Sequence, residues 1–217
     1  ITNVMTDISF LRIMIFINKM GIVASAALGI VEKLIGYMLL PPIAFLAADS
    51  AMVAQNMGAG YVKRSKQVLK YSILFCFCIG LVFTVVCNLI PDTFTGIFTK
   101  DADVIANASK YLSTFCLDCV LVAFMFNFNG YFTGCGRSMF TMIHGLLGAF
   151  LVRIPITYLV SLTYTGANLG DTMFKMGFAA PTATVFQIIL CVIYYVVTDR
   201  KDKRRMLEAE ALNAQGI

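Results

Sequence analysis

Charged residues are scarce in this chain. Asp, Glu, Lys and Arg make up 13% of its 217 residues, and 59% are hydrophobic. An ordinary soluble domain has roughly 25% charged residues, because its surface must be solvated. The scarcity therefore excludes an ordinary cytosolic enzyme, a disordered chain, a fibrous repeat and a secreted disulfide scaffold.

The motifs of soluble enzymes are also absent. The sequence contains no Gly-x4-Gly-Lys-Ser/Thr, no Gly-x-Ser-x-Gly and no His-Glu-x-x-His. The sequence has a single histidine, His144. A catalytic site built on it would need a serine that the fold places nearby, so a packing role is favoured. Cys116-x-x-Cys119 has redox or metal spacing but no second pair, so helix packing is favoured there too. We predict no enzyme, no cofactor, no metal site and no nucleic-acid partner.

The sequence begins at Ile1 without a Met, and apolar residues follow at once. It has no basic segment followed by a cleavage site, so no signal peptide is predicted. This beginning is typical of a chain that is cut inside or just before a membrane helix, so we expect a piece of a longer protein.

Apolar stretches long enough to cross a bilayer, about 20 residues each, fill most of the chain. The second stretch also holds Glu32, Lys33 and Asp49, and it is too long for one simple crossing, so Pro41-Pro42 is expected to kink it. The sequence predicts an all-α integral membrane protein, with a six-helix domain over residues 1–198 and a basic tail over 199–217. The predicted spans are about residues 1–19, 22–56, 71–91, 104–130, 138–163 and 176–198.

Basic residues predict the orientation, since short cytoplasmic loops are enriched in Lys and Arg. Ten of the 17 basic residues fall on one side of the predicted spans. That side is predicted to be cytoplasmic, so both ends of the chain face the cytoplasm from the plasma membrane, with lipids as partners. The ten are Lys63, Arg64, Lys66, Lys70, Arg137, Arg200, Lys201, Lys203, Arg204 and Arg205.

Charges inside the predicted spans are the most informative residues, because each costs roughly 2.5–3.5 kcal/mol at a helix centre. Three of the acids, Asp7, Glu32 and Asp118, are the candidate sites, and each lies on a helical stripe of polar or small residues. Three helices can thus turn an acid toward one water-filled cavity. We predict that these acids bind a coupling ion, H⁺ or Na⁺. The alternative is internal ion pairing, for example of Glu32 or Asp7 with Arg12, and Arg153 can likewise pair or extend toward the membrane surface.

Three short segments stand out by their order and by their spacing relative to the six predicted spans. They are Ala-Gln-Asn-Met-Gly-Ala-Gly at 54–60 followed by Lys63-Arg64, Asn-Gly-Tyr-Phe-Thr-Gly-Cys-Gly-Arg-Ser at 129–138, and Val-Arg-Ile-Pro at 152–155. Together they resemble motifs of the multidrug and toxic compound extrusion (MATE) family. The resemblance implies the C-terminal six-helix lobe of a twelve-helix antiporter that exports small organic cations in exchange for H⁺ or Na⁺. Its partner is then the missing N-terminal lobe.

The resemblance also implies roles for particular residues. Asp7 lies near a family acid in the first helix of this lobe, Asp118 lies about one turn before another, and Glu32 has no counterpart in the sodium-coupled members. A cavity for aromatic cations is predicted from Met14, Asn18, Tyr37, Met125, Asn127 and Asn129, with core packing as the alternative. Structural or conformational roles are predicted for Pro41, Pro42, Gln55, Asn56, Gly58, Gly60, Gly130, Gly134, Arg153 and Pro155.

Two other functions stay open at this point. One is a flippase for lipid-linked saccharides, or a polysaccharide exporter, of a related fold. The other is an intramembrane enzyme or a scaffold, for which His144 offers the only catalytic route.

Overall fold

The computed structural model describes residues 14, 15, 17, 18, 20–164 and 168–214, with side chains up to residue 200. These residues form α-helices joined by short turns, and no strand occurs among them. A π-helix, Gly148–Arg153, lies between α6 and α7. The helices are α1 (Ile22–Met38), α2 (Leu40–Gly58), α3 (Val62–Leu89), α4 (Pro91–Gly96), α5 (Ala102–Gly134), α6 (Ser138–Leu147), α7 (Ile154–Leu162), α8 (Leu169–Gly177) and α9 (Ala179–Ala214).

Consecutive helices combine into segments that are long and apolar enough to cross a membrane. The described residues contain five of these: Ile22–Gly58, Val62–Leu89, Ala102–Gly134, Ser138–Leu162 and Leu169–Arg200. The predicted all-α membrane fold is therefore confirmed. The first predicted span, residues 1–19, lies mostly outside the described residues, although residues 14, 15, 17 and 18 are helical.

The second predicted span is broken at Leu39. The Leu39 amide donates to the Ile35 carbonyl at 2.9 Å, which ends α1, and Pro41 and Pro42 form the first turn of α2. Proline fits a first helical turn, because its missing N–H would have no helical acceptor there. The structure thus has a helix break where the sequence predicts a kink.

The helix before Pro155 is widened into the π-helix Gly148–Arg153. Pro155 lies in the first turn of α7 and cannot donate a backbone hydrogen bond to the preceding turn. Single π turns of this kind are frequent at functional sites. Here the π turn carries Arg153.

Helix α5 forms the centre of the lobe and packs against α1, α2, α3, α8 and α9. Glycines allow the closest approaches. A Cβ on Gly130 would lie 2.7 Å from the Leu46 carbonyl oxygen, and one on Gly134 would lie 2.7 Å from the Ser50 carbonyl oxygen, both on α2. Small residues four apart are a common interface between membrane helices, because the two backbones can come into contact.

The outside of the lobe is apolar. Helix α3 buries one stripe that includes Cys76, Gly80 and Thr84, and the Thr84 hydroxyl donates to the Cys116 carbonyl of α5 at 2.7 Å. Its other faces expose large apolar residues such as Phe75 and Val82. Such a surface suits hydrocarbon, while the backbone polar groups are satisfied within the helices.

Basic residues gather at one end of the bundle. Tight turns at Gly60 (φ +77°) and Gly136 (φ +73°) join α2 to α3 and α5 to α6 at this end, and both backbones need a residue without a Cβ. The Lys66 ammonium pairs here with the Asp199 carboxylate, joining α3 to α9. We call this the basic end, and its described residues include Lys63, Arg64, Lys66, Arg137 and Arg200.

Two helices are longer than the sequence predicts. Helix α3 begins at Val62 rather than at residue 71, so Lys63, Arg64, Lys66 and Lys70 lie on its first turns and not in a loop. Helix α9 continues to Ala214 and includes most of the predicted tail. Lysine and arginine are good helix formers, so the charges that end the apolar stretch do not end the helix.

Candidate functional site

Asp118 is buried near the middle of α5. Its exposed fraction is 6%, and its Oδ1 has no hydrogen-bond partner in the described part of the chain. The Thr184 side chain of α9 lies close enough to interact with the same carboxylate. A buried charge needs a partner, a bound ion or a proton, and this carboxylate is only partly satisfied by neutral groups.

Charged residues of two other segments lie within electrostatic range of Asp118 or of its neighbour Tyr111. Arg153 of the π-helix interacts electrostatically with Asp118, with Glu32 of α1 and with Tyr111 of α5. We call Glu32, Tyr111, Asp118 and Arg153 the Asp118 cluster. When ionised, its two carboxylates and one guanidinium carry a net charge of −1, which matches one monovalent cation.

Glu32 and the adjacent Lys33 differ in exposure, as their positions on the helix predict. Glu32 is half-buried, whereas the adjacent Lys33 is exposed. Successive residues on a helix point about 100° apart, so Lys33 turns away from the carboxylate. Asp7 and Arg12 lie outside the described residues, and the base that the structure brings near Glu32 is Arg153.

The six predicted cavity residues separate into two groups. Met14, Asn18 and Tyr37 are exposed, and the Ser25 hydroxyl donates to Asn18 Oδ1 at 2.7 Å. The other three lie on α5, where Met125 and Asn129 are half-buried and Asn127 is fully buried, its amide donating to the Ala123 carbonyl. Asn127 therefore packs inside the lobe and does not reach its surface.

His144 has polar partners that the sequence did not predict. It is 1% exposed, and its Nε2 lies 2.7 Å from Asn129 Oδ1 and 3.7 Å from Cys191 Sγ. The Phe140 ring packs beside it with centroids 5.1 Å apart. No local pattern connects these residues, because they come from α5, α6 and α9.

Asp49 is a second buried acid, and the sequence analysis did not include it among the candidate sites. It is 1% exposed on α2 and accepts a hydrogen bond from the Ser72 hydroxyl of α3. Glu32 and Asp118 were chosen because a charge inside a membrane helix is energetically costly. The same criterion applies to Asp49 and would have identified it.

The motif residues mark turns and helix contacts. Asn56 donates to the Met52 carbonyl at 2.7 Å in the last turns of α2, Gln55 is exposed beside it, and Gly58 is the last residue of the helix. Gly60 forms the turn into α3, and Gly130 and Gly134 form the contact between α5 and α2. These residues lie at turns and at helix contacts, which are positions that determine the shape of the lobe.

The family model MatE matches residues 1–159, which is most of the chain. This chain belongs to the MatE family. MatE proteins are transporters and not enzymes, so the prediction of a non-enzyme is confirmed.

Two relatives of this MatE chain show its extent. It is 22% identical over 209 residues to the probable multidrug resistance protein YoeA of Bacillus subtilis, a match that covers 96% of this chain and 44% of that protein. It is 23% identical to the human multidrug and toxin extrusion protein 1, over 82% of this chain and 30% of that protein. The chain thus spans less than half the length of these relatives.

Solved structures share the fold of this MatE chain. An outward-facing multidrug resistance MATE family transporter of the MOP superfamily matches with a TM-score of 0.81 at 16% identity, over 91% of this chain and 43% of that one. A MOP superfamily transporter from Pyrococcus furiosus matches with a TM-score of 0.80 at 16% identity, over 91% of this chain and 42% of that one. The chain is an all-α lobe of a multi-pass membrane transporter.

Proposed function

We propose that this chain is the C-terminal lobe of a multidrug exporter that exchanges H⁺ or Na⁺ for organic cations. The observation that carries the proposal is Asp118, a buried carboxylate at the middle of α5 with one oxygen that has no partner among the described residues. The names of the relatives, which refer to multidrug resistance and extrusion, support an export function.

The charge balance of the Asp118 cluster suggests how exchange operates. With a net charge of −1, the cluster attracts one monovalent cation, either the coupling ion or the positive group of a substrate. Binding of one cation neutralises the cluster and weakens its attraction for the other, which is the condition for antiport. Arg153 offsets part of the negative charge of the empty site, so that one unit of negative charge remains for the cation.

The proposed mechanism needs a second lobe, because alternating access works by movement of two helix bundles around a central site. The exposed Met14, Asn18 and Tyr37 supply thioether, amide and aromatic groups on the outside of this lobe. Such groups can re-pack around varied shapes, so this surface suits a drug cavity shared with the missing N-terminal lobe. By the positive-inside rule, we place the basic end in the cytoplasm of a plasma membrane protein.

The test is transport by the full-length protein in vesicles. Efflux of a cationic dye is measured against a proton gradient and, separately, a Na⁺ gradient. We expect one gradient to drive efflux and Asp118→Asn to lower it at least about tenfold, which corresponds to about 1.4 kcal/mol of lost coupling.

The matched control is Asp92→Asn, an exposed acid on α4, which should transport like the unmodified protein. Efflux that responds to neither gradient would contradict the proposal. Binding of a lipid-linked saccharide without dye export would favour the flippase alternative.

A further inference from the structure

Asp49 lies in a polar pocket of its own, between α2, α3 and α5. Its exposed fraction is 1%, the Ser72 hydroxyl donates to its Oδ1, and its Oδ2 has no hydrogen-bond partner within the described residues. Helix α2 contributes the acid, helix α3 contributes Ser72, and α5 contacts the Asp49 Cβ at Gly130. The pocket is therefore complete within this lobe.

A second buried oxygen without a partner lies in the same pocket. Asn127 of α5 is 0% exposed, and its Oδ1 has no hydrogen-bond partner in the described ranges. The Cys76 thiol of α3 interacts both with the Asn127 side chain and with the Asp49 charge. Buried acceptors are normally paired, so two unpaired oxygens in one pocket indicate a missing donor or cation.

Within the described part of the chain, no positively charged side chain acts measurably on Asp49, although Arg64 of α3 lines the adjoining groove. From α3 the facing titratable group is Cys76, and from α5 the neighbours are Asn127 and Gly130, which are neutral. Among the described residues, Ser72 is the side chain that stabilises the ionised carboxylate. A single neutral hydrogen bond compensates a buried charge poorly.

A groove on the outside of the lobe lies next to this pocket. It is an open cavity of about 450 Å³ between α2 and α3, and Ser72 lines it while donating to Asp49. Asn56, Arg64 and Gln67 line the part of the groove nearer the basic end, where the Arg64 guanidinium lies over the Tyr61 ring. A cation that enters from this end therefore passes one positive charge before it reaches Ser72 and the buried carboxylate.

We propose that Asp49 binds a small monovalent cation, H⁺ or Na⁺, which reaches it through the groove between α2 and α3. A proton would satisfy Asp49 Oδ2, and Na⁺ would draw its oxygen ligands from Asp49, Asn127 and water. The site is separate from the Asp118 cluster, because residues 118 and 127 of α5 lie nine positions apart, about 13 Å along a helix. It is tested by binding, so it does not depend on the proposed exporter function.

The test uses the full-length protein in detergent, with Asp7→Asn, Glu32→Gln and Asp118→Asn as the background, so that the other predicted coupling acids are neutral. Thermal unfolding is followed as the pH is lowered and as Na⁺ replaces choline at constant ionic strength. We expect H⁺ or Na⁺ to raise the unfolding temperature, because a ligand that binds only the folded state stabilises it. Adding Asp49→Asn should remove that rise. Adding Asp92→Asn should leave it unchanged, since Asp92 is exposed.

The variant Ser72→Ala keeps the acid and so guards against a folding defect of Asp49→Asn. If Asp49 binds H⁺, this variant should bind the proton about tenfold more tightly, because the ionised carboxylate loses the Ser72 hydroxyl as its hydrogen-bond donor. If Asp49 binds Na⁺, this variant should bind the ion about tenfold more weakly, because Na⁺ loses the Ser72 oxygen as a potential ligand. The proposal is overturned if the background protein responds to neither cation, if Asp49→Asn responds like its parent, or if Ser72→Ala has an unchanged midpoint.

Discussion

Arg153 interacts with carboxylates that come from two different helices, Glu32 on α1 and Asp118 on α5. Its position in the π turn before Pro155 places it within electrostatic range of both acids. Removing one member of a buried ionic group leaves the others uncompensated, and this cost usually exceeds the net contribution of the intact group. Arg153 is half-buried, so solvent reduces that cost.

Arg153→Gln should lower the free energy of unfolding by about 1–2 kcal/mol, because Glu32 and Asp118 then each lose a compensating positive charge. Adding Glu32→Gln should recover part of this loss, with a coupling energy of about 0.5–2 kcal/mol. Denaturant unfolding of the single and double variants in detergent measures both quantities.

Lys33→Gln serves as the control for this cycle. Lys33 is exposed beside Glu32, so its combination with Glu32→Gln should be additive. Additivity of Arg153→Gln with Glu32→Gln would show that Arg153 does not compensate Glu32.

At the scale of residues, the sequence identified acids but not their partners. Glu32 and Asp118 were predictable because a charge within an apolar helix is costly. Ion pairing of Arg153 was one predicted possibility, but its approach to these two acids was not predictable, because it depends on how α1, α5 and the π-helix pack together. The contact of His144 with Asn129 and Cys191 depends on tertiary packing in the same way.

Helix α5 organises the elements of the lobe, and its glycines determine how closely α2 approaches. A Cβ on Gly130 would meet the Leu46 carbonyl oxygen at 2.7 Å and the Asp49 Cβ at 2.8 Å. Both are closer than such contacts occur in folded proteins, and neither atom lies at the end of a flexible side chain. The two helices would have to separate to admit a methyl group.

Gly130→Ala should therefore destabilise the protein by about 1–3 kcal/mol, the usual cost of overpacking. Gly29→Ala is the matched control, because Gly29 is in the interior of α1 with nothing within 4 Å of an added Cβ. That control should be neutral or up to about 1 kcal/mol more stable, since Ala is a better helix former than Gly. Thermal unfolding of both variants tests the difference, and equal effects would show that the contact between α5 and α2 is not tight.

The sequence predicted the apolar cores of the helices better than their ends. Pro41-Pro42 correctly located a bend, because the missing N–H groups disrupt a helix wherever they occur. The beginning of α3 at Val62 was missed, since Lys63, Arg64, Lys66 and Lys70 end the apolar stretch without ending the helix. The π-helix was missed because the sequence does not show where a helix widens.

At the scale of the whole molecule, the order of the helices determines which helix ends lie together. Each turn reverses the chain, so the end of α2, the beginning of α3 and the end of α5 lie together at the basic end, and the Lys66–Asp199 pair joins α9 to them. The three motif segments indicated the family before the fold was known, because their glycines and polar residues occupy turns and contacts that this topology requires. The proposed surface for a second lobe rests on the sequence pattern and on exposure alone, since this chain spans less than half the length of its relatives.

The orientation of the whole molecule in the membrane can be tested by labelling its two ends. Lys63 is exposed at the basic end, and Lys100 is exposed in the turn before α5 at the opposite end. The positive-inside rule places Lys63 in the cytoplasm. The background is Cys78→Ser with Cys135→Ser, which removes the native thiols that are exposed or half-buried among the described residues. In it, a membrane-impermeant thiol reagent added to intact cells should label Lys100→Cys but not Lys63→Cys. Both variants should be labelled once the cells are permeabilised. Labelling of Lys63→Cys alone in intact cells would reverse the proposed orientation, and the groove leading to Asp49 would then open toward the outside of the cell.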